Sequence, residues 1–486
     1  MRSDTLRQRL EQAGLLVRWP DGVPETIGGP TTDSRRVDSG SVFVAYQGSE
    51  ADGHAHVPAA VEKGAGVVMA ERELNGVGVP VILVANGRQA AAVAAGLASG
   101  DPAAGVRLIA VTGTNGKTTS AHLLRHLFSQ DVPAGSIGTL GAVDNDGDVL
   151  PGTEGLTTPG PVELMGTIAA LRRTGARTIA MEASSHSLDQ NRLWGLSFAA
   201  AVFTNLTRDH LDYHVTLEAY FAAKAKLIGM IEPGGWVIVN ADDPAWKNLP
   251  PFERVLTFGT TADADVRATD IDGDALGMSF TMSYRGQSVR ARIPLLGRFN
   301  VENALGASAA ALALGHDLES VAARLASTPQ VPGRMERVAD RPCVVLRDYA
   351  HTPDALERAL AAARPLTKGR VLLVFGCGGD RDRGKRPVMG QVAALLADLA
   401  IVTSDNPRTE DPERILDDIE GGMGQKAHLR IVDRRQAIAR ALTIARPGDM
   451  VLLAGKGHEN YQVIGTEKFP FDERVVVNEA LQAAAR

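Results

Sequence analysis

Cysteine is nearly absent, with Cys343 and Cys377 the only two in 486 residues. Two such thiols make neither a disulfide framework nor a metal-finger spacing, so a reducing, cytoplasmic setting is expected. Both read as small apolar residues at strand ends rather than as reactive groups. Long apolar runs are missing too. Met1 to Thr5 lacks a signal-peptide core, and the alanine-rich stretch from Ala90 to Ala98, interrupted by Gly96, is too short to cross a bilayer and reads as a packed helix. Nor is there a block of Lys and Arg: 51 basic residues stand against 57 acidic ones, for a net charge of −6. This argues against a nucleic-acid surface and suits an enzyme, without integral membrane contact, that binds anions through local loops.

What is present is an alternation of strand-like and helix-like segments, in a chain whose 486 residues suit about three domains of roughly 100–200 residues each. A first α/β unit holds apolar runs at Val42 to Val44, Val67 to Met69 and Val81 to Val84, and ends near Gly100 to Gly105. A second holds strands near Arg107 to Val111, Thr178 to Met181, Ala200 to Phe203 and Trp236 to Val239, then a β-rich stretch from about Val255 to Ile293, and closes around Pro332 to Arg334. The third reads as strands at Cys343 to Leu346, Val371 to Phe375, Leu399 to Val402 and Met450 to Leu453, with helical patterns between them. Such alternation predicts parallel sheets whose ligand loops lie beyond the strand C-termini. The expected class is α/β in three domains. A smaller N-terminal α/β domain covers 1–104, a central P-loop mononucleotide-binding domain with a parallel sheet covers 105–334, and a C-terminal Rossmann-like doubly wound domain covers 335–486.

The strongest local signal is Gly113, Thr114, Asn115, Gly116, Lys117, Thr118 and Thr119, which follows the strand-like run Arg107 to Val111 and opens the amphipathic stretch Ser120 to Phe128. Strand, glycine loop and helix N-terminus together cradle phosphates. Backbone N–H groups close around the oxygens, Lys117 reaches the terminal phosphates, and the Thr118 hydroxyl ligates Mg²⁺. ATP or GTP binding is therefore expected. The loop is shorter than G-x-x-x-x-G-K-[ST], because Val111 stands where the first glycine of that pattern would fall, and this marks a subclass. Glu182 follows the second central strand and His210 the third. A carboxylate and a neutral imidazole near Thr118 would hold Mg²⁺ against the β- and γ-phosphates, although singly either is an ordinary structural hydrogen-bonder.

In order along the chain come Asp33 to Arg35, Gly113 to Thr119, Thr157 to Pro159, Glu182 to His186, Gln190 with Arg192, Asn205 to His214, Asn300 to Asn303, Pro332 to Arg334, Asp348 to Pro353 and Asp405 to Arg408. This ordered set resembles the Mur ligase family, the ATP-dependent amide-forming enzymes of bacterial cell-wall synthesis, from about residue 30 to the end. The resemblance implies two-step chemistry: a substrate carboxylate is phosphorylated to an acyl phosphate, and an incoming amine attacks it and releases phosphate. Within the family the set looks like that of the enzymes adding the third amino acid to UDP-N-acetylmuramoyl-L-alanyl-D-glutamate (UDP-MurNAc-L-Ala-D-Glu), with meso-diaminopimelate as the acceptor and Arg408 placed to pair with its additional carboxylate.

By the same resemblance Asn303 contacts adenine, Arg334 lies near the phosphates and Asp348 near the ribose. Thr32, Ser34, Ser49, Glu50 and Ala51 match positions that hold the UDP part, and Thr157, Thr158, Ser184, Gln190 and Arg192 those that hold the muramoyl peptide. Lys224 is implied as a CO₂-derived carbamate and joins Thr118, Glu182 and His210 around Mg²⁺; Lys117, Glu182, His210 and Lys224 are the implied catalytic set. Arg381, Asp405, Asn406, Pro407, Arg408, Gly455 and Glu459 are implied to bind the incoming amino acid. Plainer readings exist for each: Thr158 before proline as a turn, Ser184 as a helix cap, Arg192 as a surface charge, Lys224 as a solvated helix lysine. A lysine-adding ligase of the same type, a folylpolyglutamate synthase-like ligase and a nucleotide-dependent switch that performs no ligation stay open as alternatives. A monomer is expected.

Overall fold

Short β-branched runs punctuated by glycine and proline form the strands, and alanine-rich stretches between them form the helices. The computed structural model describes residues 1–48, 51–261, 263–274 and 276–484. These fall into two units. One is Met1–Arg267 with Ser283–Gln287 and Glu302–Val321; the other is Ala268–Met282 with Ser288–Val301 and Ala322–Arg486.

The first unit carries an N-terminal sheet of β1 (Leu16–Arg18), β2 (Pro30–Thr31), β3 (Val42–Ala45), β4 (Val67–Ala70) and β5 (Val81–Val84), in the order β1-β5-β4-β3-β2. β2 to β5 run parallel, and only β1 is antiparallel to its neighbour. β3 and β4 are buried along their whole length, as parallel strands covered on both faces must be. One covering helix, Gly87–Ala98, is the alanine-rich stretch, capped by the Asn86 side chain accepting from Gln89 N–H.

The same unit holds β6 (Arg107–Thr112), β7 (Ala134–Gly138), β8 (Gly141–Val143), β9 (Thr178–Glu182), β10 (Phe198–Phe203), β11 (Ile231–Asn240) and β12 (Val255–Gly259), in the order β12-β11-β10-β6-β9-β7-β8. All neighbours are parallel except the β7–β8 pair. β6 therefore lies between β9 and β10, and the loops leaving these three strands start side by side at one sheet edge, where parallel sheets place their ligands.

The β-rich stretch becomes β12, β13 (Val266–Asp274), β14 (Gly277–Tyr284) and β15 (Gln287–Ile293). The second unit carries a sheet of β16 (Glu336–Ala339), β17 (Val344–Asp348), β18 (Val371–Phe375), β19 (Leu399–Val402), β20 (His428–Arg430) and β21 (Met450–Ala454), ordered β16-β17-β21-β18-β19-β20. Only β16 is antiparallel, and separate apolar clusters cover the two faces, as a doubly wound sheet requires. A hairpin, β22 (Tyr461–Ile464) with β23 (Glu467–Pro470), follows. The strand expected from Cys343 begins one residue later and runs on to Asp348, and β16, β20 and the hairpin are additions to the sequence reading. Both cysteines are buried, which pushes the Cys343 thiol up to about 11 and Cys377 up to about 12 and leaves them unreactive. Among the described residues no helix is long and apolar enough to cross a membrane.

Candidate active site

The loop after β6 is shaped by its glycines and by the residues following β10. Gly116 caps the helix Lys117–Ser129 at φ +87°, and a side chain there would collide with Asn303 Oδ1. A side chain on Gly113, at φ +147°, would strike the Thr204 hydroxyl. Thr114 N–H donates to the Asn205 carbonyl at 2.7 Å and Asn115 N–H to Asn205 Oδ1 at 2.9 Å, so the β10 loop holds the phosphate loop open from behind. Lys117 Nζ donates to the carbonyls of Gly113 (3.0 Å) and Thr114 (2.8 Å), while Thr118 and Thr119 are buried in the first helical turn.

Lys224, on the helix Leu217–Ala225, is 1 % exposed; its amine donates to the same Gly113 carbonyl at 2.8 Å and lies 4.4 Å from the centre of the Tyr220 ring. Burial drives its pKa well below the ordinary lysine value; the charge on Lys117 pushes the same way, and Asp209 opposes it. This is no solvated helix lysine. Tyr220 in turn donates to Thr114 Oγ1 at 3.2 Å.

Glu182 ends β9, 2 % exposed, and accepts from Thr139 N–H (2.8 Å) and Thr139 Oγ1 (3.3 Å). His210 sits at φ +52° ahead of the short helix Leu211–His214, with its ring 4.7 Å from that of His186 and 6.1 Å from that of Tyr220. Burial lowers its pKa, and Lys117 and Lys224 reinforce the effect against Asp209. His186 is lowered to about 4 by burial and by the neighbouring His210 and His214. Both imidazoles are thus neutral near pH 7. Among the described residues no three His, Cys, Asp or Glu side chains form a metal cluster; the expected set has only Glu182 and His210 of those types.

The residues assigned to the muramoyl peptide form one connected network beside Glu182. Thr158 Oγ1 donates to the Glu182 carbonyl at 2.8 Å and accepts from Ser184 N–H at 3.2 Å, and Thr157 Oγ1 is 3.1 Å from Thr139 Oγ1. Arg192 donates to the Thr158 carbonyl (2.9 Å) and to Gln190 Oε1 (2.8 Å), and Gln190 donates to the Tyr213 hydroxyl (3.2 Å). Arg192 is no surface charge: burial and nearby Arg88 both lower its pKa. Ser184 does cap its helix, accepting from Ser187 N–H. In the N-terminal sheet's loops Thr32 and Ser34 border the 3₁₀ turn Ser34–Arg36, and Ala51 accepts from Gly48 N–H at 2.9 Å. Ser49 and Glu50 lie outside the described residues.

In the second unit Asp348 ends β17 and accepts from Met335 N–H at 2.7 Å; burial raises its pKa while Arg334 opposes the shift. The Arg334 guanidinium lies 4.9 Å from the centre of the Tyr349 ring. The segments carrying Arg381, Asp405 to Arg408, and Gly455 with Glu459 follow β18, β19 and β21, which are neighbours in the sheet. Asp405 and Asn406 are buried, Asn406 Nδ2 donates to Glu459 Oε2 at 2.8 Å, and Arg408, at φ +51°, donates to the Gly379 carbonyl at 2.8 Å. Pro407 precedes it in a loop packed against Gly379, and Gly455, at φ +116°, would collide with Asp405 if it bore a side chain. Arg381 is exposed.

Residues without an assigned role in the sequence also build the site: Thr204 and Asn205, the latter opening the matched segment Asn205 to His214, behind the phosphate loop, Thr139 on Glu182, and Tyr220 under Lys224. For Tyr220 a signal was available, since it precedes Lys224 by four residues and so shares its helix face. Thr139 carried none.

Comparison with known proteins matches three successive stretches of the chain to family models. Residues 26–102 match the Mur ligase family catalytic domain, 111–311 the Mur ligase middle domain, and 333–457 the Mur ligase glutamate ligase domain. The UDP-N-acetylmuramoyl-L-alanyl-D-glutamate–2,6-diaminopimelate ligase of Gloeobacter violaceus is 44% identical over 98% of this chain and 98% of its own length. That of Geobacillus kaustophilus is 43% identical over 93% and 94%. A solved structure of a ligase of that name, 37% identical, matches 95% of this chain and 96% of its own with a TM-score of 0.68.

Proposed function

This chain belongs to the Mur ligase family, and from that membership we propose that it is the ATP-dependent ligase joining meso-2,6-diaminopimelate to the D-glutamyl γ-carboxylate of UDP-MurNAc-L-Ala-D-Glu in peptidoglycan precursor synthesis. It acts in the cytoplasm as a monomer. The observation that carries the reading is a phosphate loop with Lys224 buried on its first carbonyl, in a chain that diaminopimelate ligases match from end to end.

A carboxylate is a poor electrophile. Transfer of the ATP γ-phosphoryl group to the substrate carboxylate yields an acyl phosphate and ADP; the acceptor amine then adds to the acyl carbon, and collapse of the tetrahedral adduct expels phosphate. Loop N–H groups and Lys117 stabilise charge on the migrating phosphoryl group, Asn303 contacts adenine, and Arg334 and Asp348 complete the nucleotide side. Thr157, Thr158, Ser184, Gln190 and Arg192 orient the muramoyl peptide, and Thr32, Ser34, Ser49, Glu50 and Ala51 hold the UDP part. Arg381, Asp405 to Arg408, Gly455 and Glu459 receive the amino acid. The segments 1–104, 105–334 and 335–486 thus divide the work into UDP, ATP and amino-acid binding.

The donors present fit Mg²⁺: the Thr118 hydroxyl, the Glu182 carboxylate and a His210 imidazole kept neutral suit a hard divalent cation, which when bound neutralises phosphate charge. Lys224 fits carbamylation. Its amine, biased toward the uncharged form by burial and by Lys117, is the nucleophile that CO₂ requires; adding it and losing one proton replaces a repelling ammonium with anionic oxygens.

The test is ADP release with ATP, Mg²⁺ and UDP-MurNAc-L-Ala-D-Glu, screened across meso-diaminopimelate, L-lysine, and a folate with glutamate. Release is expected with the muramoyl dipeptide and meso-diaminopimelate. Equal efficiency with lysine, or turnover only with folate, would assign the chain to another ligase, and release indifferent to any amino acid would make it a switch.

A further inference from the structure

Lys456 is fully buried in the loop after β21, and neither the nucleotide nor the amino-acid assignments use it. Its amine donates to Asn406 Oδ1 at 3.0 Å and to Glu459 Oε2 at 3.1 Å and lies 3.5 Å from Asp405 Oδ1. The ammonium thus hydrogen-bonds two residues and stands at ion-pair distance from a third, whose Oδ1 is buried without a hydrogen bond, all of them among those that receive the acceptor. Asn406 bridges the same group: its Nδ2 donates to Glu459 Oε2 at 2.8 Å and its Oδ1 also accepts from Val463 N–H at 3.0 Å. Glu459 Oε2 is therefore saturated, while its other oxygen has no hydrogen-bond partner among the described residues. Two carboxylates against one ammonium leave the cluster with one net negative charge, which suits an incoming cationic amine.

Resting on the ligase reading, we propose that Lys456 is a positioning residue for the acceptor: its buried ammonium ties Asp405, Asn406 and Glu459 into one arrangement that holds the amino acid's ammonium group, and it takes no part in carboxylate activation. Removing it would leave the Asp405 and Glu459 carboxylates without their shared counter-charge and Asn406 Oδ1 with the Val463 N–H alone. Asn406 and Glu459 would then separate, and the amino acid would lose its preformed partner.

The experiment separates the half-reactions in Lys456→Met. Single-turnover ADP formation from ATP and UDP-MurNAc-L-Ala-D-Glu without amino acid should stay within about threefold of the parent, and KM for ATP should not move. KM for meso-diaminopimelate should rise by about thirtyfold or more, the scale of a lost buried charge partner. An unchanged KM for the amino acid in the folded variant, or ADP formation falling in step with ligation, overturns the proposal. If the Met variant does not fold, Lys456→Gln, which keeps a donor without the charge, carries the same expectations. Failure of both to fold would make the residue structural and likewise overturn it. A parent enzyme that activates the dipeptide but ignores meso-diaminopimelate would instead refute the acceptor assignment itself.

Discussion

Lys224→Met should give a protein that is as stable as the parent and nearly dead. Among the described residues the Lys224 amine makes one hydrogen bond, to the Gly113 carbonyl, and that carbonyl also accepts from Lys117, so it keeps a partner when Lys224 is gone. The lost bond is worth about 1–1.5 kcal/mol, and the contact of the amine with the Tyr220 ring is one that a Met thioether largely replaces. Against this stands the cost of burying an amine that the unfolded chain carries protonated, a cost that Met, similar in length and apolar, does not incur. The terms nearly cancel, so stability should change by no more than about 1 kcal/mol, a melting shift of roughly 2–4 °C. Because the folded pKa is lowered, the unfolded chain binds the extra proton over the range below its own lysine pKa, and the parent gains stability as pH rises through that range. The balance should favour the Met variant more at lower pH and shift toward the parent as pH approaches the ordinary lysine value of about 10.4. Ligation should fall by about a hundredfold or more, as when one electrostatic group is removed from an active site. Short carboxylates such as acetate should restore part of it. Calorimetry across pH and ADP release with and without acetate provide the measurements. A folded variant with parental turnover would refute the carbamate, and a variant that fails to fold would refute the partner count.

Gly116→Ala should destabilise the protein by about 1–3 kcal/mol, since the position has a left-handed backbone and opens directly onto Asn303; a thermal shift at parental value would show that the helix start can move. Arg408→Ala should cost meso-diaminopimelate about a hundredfold in kcat/KM while lysine changes little, and retained selectivity would place the discriminating contact elsewhere. His186 is held near a pKa of about 4, so the unfolded chain takes up its proton first and stability should fall as pH drops from about 6.5 towards 4. His186→Gln should flatten that limb, and an unaltered acid limb by denaturant titration would exclude His186 as its source.

The phosphate loop was legible because its neighbours are local: β6, the glycines and the helix start lie within a few residues, and Val, Ile and Gly report their backbone states directly. The central strands of all three sheets were legible for the same reason. β1, β2 and β20 are two or three residues long and carry no measurable period, and each strand of the β22–β23 hairpin has only four residues, none of them buried, so no burial pattern marks them. Nor could the sequence join residues distant along the chain. Asn205 meets the phosphate loop from 90 residues away, and Lys224 reaches Gly113 across 111. Both contacts exist only because β10 lies beside β6.

Lysine itself is the sharpest case, since its composition value is exposure and two of the most buried side chains in the chain are Lys224 and Lys456. Lys456 is buried in the loop after β21 and Lys224 on the helix Leu217–Ala225 against the phosphate loop, and their surroundings differ in charge. Lys456 has two carboxylates within 3.5 Å and forms a bridge that holds binding groups in register. Lys224 has a backbone carbonyl, an aromatic face and a second lysine close by, and Asp209 offsets only part of the cost of a proton on it. Burial that outweighs the available counter-charge is what turns a lysine from a cation into a nucleophile, and burial beside close carboxylates is what turns it into a strut. The two residues therefore predict opposite responses to removal of charge: the amine at 224 is needed for what it can react with, the ammonium at 456 for what it holds in place.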